Sequence, residues 1–231
     1  MRWPLLLPLL VACAHRPSAR HETCPFPAEL DPTWVGPGQV LLLGEAHRTV
    51  EFPAFAGEVA CAASERGPVI LGLEVTTGEQ PRLDAFLADG QVAPLLEGPF
   101  WNRDPGDGRE SQAMLDLLTR MHRLRLAGRQ VSVLAFDSRP DRRDLGMAQT
   151  LEQARREHPE AAIVALVGNA HARNAFGVVT SCAKHLADDG VPLHTVDLAG
   201  AGNPTGFDLQ RESVETTRSP RARPLTSRPA P

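Results

Sequence analysis

Two short segments of this 231-residue chain carry residue types suited to acid–base or metal chemistry. Val40-Leu-Leu-Leu-Gly-Glu-Ala-His47 and Val164-Ala-Leu-Val-Gly-Asn-Ala-His171 share Val, one Leu, Gly, Ala and His at matching places. In each, glycine lets the backbone turn sharply off an apolar run or approach a ligand closely. The histidine three residues later can then point back over the end of that run. Two such loops facing each other would present two imidazoles to one metal or one substrate. Carboxylates recur at equivalent places: Glu45 beside the first glycine, Glu74 after Val69-Ile-Leu-Gly-Leu73, Asp137 after Val131–Phe136 and Asp197 after Leu193–Val196. A single carboxylate in such a place is commonly a helix cap or loop acceptor, and Asp137 and Asp197 taken singly have that reading. Glu45, His47, Glu74 and His171 taken together point to a reaction centre.

The elements that must position these groups follow from periodicity. Val40–Leu43, Val69–Leu73, Val131–Phe136, Ala162–Val167 and Leu193–Val196 are short continuous apolar runs, the pattern of strands buried on both faces. Between them lie helical stretches at 51–66, 81–89, 111–127, 144–158 and 176–188. The third is the clearest, with Met114, Leu115, Leu118, Met121 and Leu124 at three-and-four spacing and Gly128 to stop it. Buried strands alternating with helices predict an α/β fold with a mainly parallel sheet covered on both faces. In such a sheet all five strand ends lie on one edge, where ligands bind. A loop from Gly90 to Gly108 is expected to cover that edge. Its Phe100 and Trp101 would either touch an apolar ligand group or pack as core.

The ends read differently. Met1–Ala12 has one charge, Arg2, then an apolar run, and stops at Leu10-Val11-Ala12-Cys13. That is the pattern of a secretory signal ending in a lipidation site, so Cys13 is the expected lipidated residue and the anchor is a lipid. Ala14 after the cysteine favours outer-membrane retention within the bacterial cell envelope. Residues 13–38, dotted with proline, read as a tether, 39–202 as the folded domain, and 203–231 as a solvated, disordered tail too poor in apolar residues to fold. No run approaches the ~18 apolar residues of a membrane-spanning helix. A net charge of −4 gives no electrostatic footprint for nucleic acid.

With Cys13 set aside, Cys24, Cys61 and Cys182 remain, an odd number for an oxidising compartment. Three pairings are open. Cys61 and Cys182 lie at similar depths in helices that follow similar strands, which favours that pair.

There is no His-Glu-x-x-His, Gly-x-Ser-x-Gly, phosphate loop or Cys-x-x-Cys, and Gly36-Pro-Gly38 precedes its strand, so hydride transfer on a bound dinucleotide is not expected. The chain does resemble the superfamily of the Tiki and TraB proteins, the ChaN-like haem-binding lipoproteins and the erythromycin esterases. The resemblance is carried by Gly44-Glu45-Ala46-His47, Glu74 and Gly168-Asn169-Ala170-His171, and it covers about Gln39 to Asp197. Within that superfamily, Asp107–Met114 and Arg143–Ala148 look like segments of uncharacterised bacterial members.

The resemblance implies the site more firmly than the reaction. By likeness to the Tiki proteins, His47 and His171 would ligate a divalent transition metal, Zn, Mn or Co, with Glu45 or Glu74 as third ligand or general base. By likeness to the esterases no metal is needed: His47 would activate water, Glu74 would orient it, and Arg109 would stabilise the oxyanion. Haem relatives use tyrosine, and this chain has none, which makes haem the lesser expectation. The leading expectation is a lipid-anchored envelope hydrolase of an ester or amide in a small-molecule or peptide substrate, with or without a metal. A haem- or metal-binding lipoprotein without turnover is the alternative.

Overall fold

The computed structural model describes residues 22–103, 106–138, 140–173, 180–198 and 207–210. Its elements run β1 (Val40–Glu45), α1 (Glu51–Ala63), β2 (Val69–Thr76), α2 (Gln80–Asp89), α3 (Val92–Leu96), α4 (Gln112–Leu126) and β3 (Val131–Asp137). They continue with α5 (Arg143–Glu157), β4 (Ala162–Gly168), α6 (Asn169–Ala172), α7 (Cys182–Asp188), β5 (Leu193–Asp197) and β6 (Leu209–Gln210). The strands form one sheet in the order β3-β2-β4-β1-β5-β6, and every pairing is parallel. The expected α/β fold is the observed one.

Alternate residues of each strand feed two apolar layers, because successive side chains of a strand point to opposite faces. Leu41, Leu43, Leu71, Leu73, Val164 and Leu166 join α1, α2 and α4 in one layer. Val40, Leu42, Ile70, Ile163, Ala165 and Val167 join α5 and α7 in the other. Burial on both faces explains why these strands read as unbroken apolar runs instead of alternating ones.

The cysteine pairing favoured above is not the one formed. Cys24 and Cys61 are bonded, with Cα atoms 5.4 Å apart, and Cys182 is a free buried thiol. Cys61 lies in the α1 layer and Cys182 in the α7 layer. A disulfide spans Cα atoms within about 7 Å, and here a whole sheet stands between the two. The reading of 13–38 as a tether also fails from Glu22 onward. Cys24, Leu30 and Val35 are buried against the α1 layer, and Glu22 pairs with Arg120 at 2.7 Å. Proline spacing suggested a linker, but the proline at 32 opens a 3-10 turn (Pro32–Val35) whose start is capped by Asp31. Part of the expected tail belongs to the domain as well. Phe207 packs on the α7 layer and Leu209–Gln210 pair with β5. Met1–Ala12, Cys13 and residues 211–231 lie outside the described residues.

Two outer backbone groups of the edge strand β3 are covered by one side chain. Gln80 donates from Nε2 to the Val133 carbonyl at 2.8 Å and accepts from the Ala135 N–H at 2.7 Å, acting as a strand residue would. Gln80→Ala would leave both groups without that partner and open the edge. The expected result is a loss of about 1–3 kcal/mol in urea unfolding, with a greater tendency to aggregate on heating.

Candidate active site

The ends of β1, β2, β3 and β4 bring Glu45, His47, Glu74, Asp137 and His171 to one edge. Glu74, at 3% exposure, is the centre. Its Oε1 accepts from Arg109 Nη1 at 2.6 Å and from Arg143 Nη2, and its Oε2 accepts from the Gly168 N–H at 2.6 Å. A buried carboxylate so placed needs its charge matched, and two guanidiniums supply the match.

Each arginine is in turn held by an aspartate. Arg109 bonds Asp107 through Nε, Nη2 and its backbone N–H, and donates from Nη1 to the Glu74 carbonyl at 2.6 Å. Arg143 makes a two-pronged pair with Asp137, at 2.7 and 2.8 Å. Arg103 braces this edge by bonding both Asp107 oxygens and Glu110. Burial alone would raise the Asp107 carboxyl, but the bonds and charge of Arg109, with Arg103 beyond it, hold it well below the usual carboxylate range.

Two histidine–carboxylate pairs flank the Glu74 centre. His47 Nδ1 lies 3.0 Å from Glu45 Oε1, and His47 Nε2 lies 3.9 Å from Glu74 Oε2. His171 Nδ1 lies 2.7 Å from Asp144 Oδ1, and its Nε2 lies 3.4 Å from Arg143 Nη1. An ionised carboxylate accepts only, so each imidazole carries its proton on Nδ1 and leaves the Nε2 lone pair towards the centre. Burial disfavours a charged His47, yet the bond to Glu45 and the charges of Glu45 and Glu74 outweigh it, so its pKa lies above the ordinary value. Asp144 shows the converse balance. Burial would raise it, but His171, the Cys182 N–H and Arg143 lower it.

The doubled glycines have a steric reason. A Cβ on Gly168 would sit 3.3 Å from both Glu74 Oε2 and His47 Nε2. One on Gly44 would meet Asn169 Oδ1 and Ala172 Cβ. Each glycine therefore makes room for its neighbour across the crevice, which is why the motif comes as a pair. Asn169 Oδ1 is buried under Gly44 with no hydrogen-bond partner among the described residues.

All five side chains singled out as reactive thus meet here: Glu45, His47, Glu74 and Arg109 in direct succession, and His171 through Arg143. Two roles change. Arg109 was expected to face an oxyanion, but it is 7% exposed and its nitrogens are taken by Asp107 and Glu74. Metal ligation by His47, His171, Glu74 and Glu45 does not fit this donor set. Glu74 spends its oxygens on two cations and a backbone N–H, Glu45 holds His47, and two guanidiniums repel a further cation. Among the described residues no group of three or more His, Cys, Asp and Glu is placed to hold a metal.

Arg143 and Asp144 were missed as site residues. The available signal was charge balance: several carboxylates at one buried edge demand more than one cation. The Gly90–Gly108 loop brings no aromatic to the centre. Phe100 and Trp101 are 2% and 4% exposed and pack in the α1 layer. Asp197 is fully buried at the end of β5, in register with Gly44.

No family model matches the chain, and no curated protein matches it. Solved structures do, at the level of fold. The type III effector HopBA1 is 18% identical with a TM-score of 0.46, over 71% of this chain and 79% of its own. ChaN of Campylobacter jejuni, solved with cofacial haem binding, is 13% identical with a TM-score of 0.47, over 68% of this chain and 80% of its own. RRSP, a toxin effector domain from Vibrio vulnificus, is 19% identical with a TM-score of 0.48. The match spans 79% of this chain but only 39% of RRSP. These are distant likenesses of fold to a ChaN protein and to bacterial effector and toxin domains.

Proposed function

We propose that this chain is a hydrolase that cleaves an ester or amide bond with water activated by His47. The observation that carries the reading is the orientation of His47. Glu45 fixes its Nδ1 proton, its Nε2 lone pair faces the centre, and the two carboxylates Glu45 and Glu74 stabilise the imidazolium that forms. Water attacks the substrate carbonyl carbon while its proton passes to His47 Nε2. The tetrahedral oxyanion then faces Arg143 Nη1, which has a hydrogen beyond its contact with His171 and sits on a side chain 32% exposed. As the carbon–oxygen or carbon–nitrogen bond breaks, His47 returns the proton to the leaving group. Arg109 holds Glu74 in place, and no step requires a metal.

The test is turnover of a panel of nitrophenyl esters and peptide anilides by the full chain, beside His47→Ala and His171→Ala. Hydrolysis by the parent but not by the His47 variant supports the reading; equal rates in both, or no turnover of any member, sink it. The alternative, a haem-binding protein without turnover, would instead give a Soret band on haem addition that His47→Ala removes.

The base must be neutral to accept a proton, and the pKa of His47 is raised. The rate is therefore expected to climb with pH through a midpoint above the ordinary histidine value of about 6.5. A midpoint well below that value in a pH–rate profile would contradict the geometry. The same shift makes the His47–Glu45 contact most stabilising below that pH and lost as pH rises through the folded value.

The reading includes lipidation at Cys13 and a place in the bacterial cell envelope, supported by the Leu10–Cys13 pattern and by the Cys24–Cys61 disulfide. Radiolabelled palmitate is expected to enter the parent and to be absent from Cys13→Ala.

A further inference from the structure

Arg48 follows His47 directly and is the only non-glycine residue with positive φ among the described residues, at 72°. Side chains rarely adopt that conformation, and where they do the surrounding structure must hold them there. Here the holding groups come from a loop nearly sixty residues away. Arg48 donates from Nε to the Asp107 carbonyl at 2.9 Å and from Nη2 to the Gly106 carbonyl at 2.7 Å. Its aliphatic stem lies over Gly108, whose own φ is 95°, and a Cβ at Gly108 would collide with Arg48 Cγ. Two left-handed residues, one on each loop, are thus fitted to each other.

The position of this contact gives it meaning. On one side, Arg48 is bonded to the residue that carries the His47 imidazole. On the other, it grips the backbone of Asp107, whose carboxylate holds Arg109, which in turn holds Glu74. We infer that Arg48 is a positioning residue that locks the His47 loop to the Asp107–Arg109 loop and so fixes the imidazole relative to the clamped Glu74. It touches no reacting atom. A side chain recruited only for stability would not require a left-handed backbone, since an exposed arginine can reach a carbonyl from ordinary conformations.

Arg48→Gly separates the two effects. Glycine takes φ 72° freely, so the backbone is relieved while the clamp is removed. The role rests on His47 being the base, but it is read without substrate, so a chain that hydrolyses nothing can still pass or fail. In the nitrogen-15-labelled full chain, the Arg109 Nε–H and His47 Nδ1–H resonances are expected to be protected from solvent exchange. Arg48→Gly is expected to accelerate exchange at Arg109 by tenfold or more and to broaden the His47 signal, with a melting temperature equal to or above that of the parent. Gly108→Ala, which displaces Arg48 without removing it, is expected to accelerate exchange at Arg109 likewise, with a lower melting temperature because alanine is strained at φ 95°. Arg48→Lys keeps the charge but cannot reach both carbonyls, and is expected not to rescue protection. Parent-like protection in Arg48→Gly, or full rescue by lysine, would overturn the assignment.

Discussion

Glu74→Ala is expected to be the most destabilising single change at the strand-end edge. It removes an anion that Arg109 and Arg143 share and takes an acceptor from the Gly168 N–H. Arg109 is left 7% exposed with part of its charge unmatched. Removing one partner of a buried pair costs about 3–5 kcal/mol, roughly a 10 °C fall in melting temperature for a domain of this size. The other acidic partners moderate the loss, since Asp107 and Asp137 remain to each arginine. A double-mutant cycle of Glu74→Gln with Arg109→Gln checks the mechanism: the double variant should lose less than the sum, with a coupling of about 0.5–3 kcal/mol. Additive losses in chemical denaturation would show that the pair is not energetically joined. Acid should produce the same failure. The lowered pKa values of Asp107 and Asp144 mean that their contribution is present above the ordinary carboxylate pKa and is lost as pH falls through the folded values.

His47→Ala has the opposite profile. It is expected to lower hydrolysis by about 100- to 10,000-fold, the span of a general base, while the chain keeps a cooperative melt near that of the parent. The imidazole is 26% exposed, and its removal leaves Glu45 and Glu74 with the rest of the edge intact. His171→Ala should also cut the rate, but by a different route. It frees Arg143 and Asp144 from their imidazole contact and weakens the placement of the guanidinium that faces the oxyanion. Combining the two variants distinguishes their roles. A base and a group that positions an oxyanion donor act on one transition state, so the double variant should fall well short of the product of the single losses. Retained activity in His47→Ala, with the melt unchanged, would remove water activation by this residue from the account.

Much of this was legible in the chain. The unbroken apolar strands, the helices between them and the glycine–histidine segments at two strand ends are local patterns, and local patterns set both the parallel sheet and the edge where Glu45, His47, Glu74 and His171 gather. What was not legible depended on which groups meet across the sheet. Arg109 and Arg143 are ordinary arginines in sequence, and only the placement of Glu74 between them shows that one is committed to a buried ion pair and the other retains a donor. Periodicity could suggest that two cysteines sit at like depths in two helices, but not on which face of the sheet each helix lies. That choice put Cys61 beside Cys24 and left Cys182 alone in the opposite layer. Proline content suggested that the segment before β1 was a tether, whereas the cover it gives to the α1 layer is a matter of long-range burial. The division has one physical cause. Hydrophobic period and glycine placement are satisfied within a few residues, while charge matching and disulfide geometry are satisfied only between atoms that folding brings together.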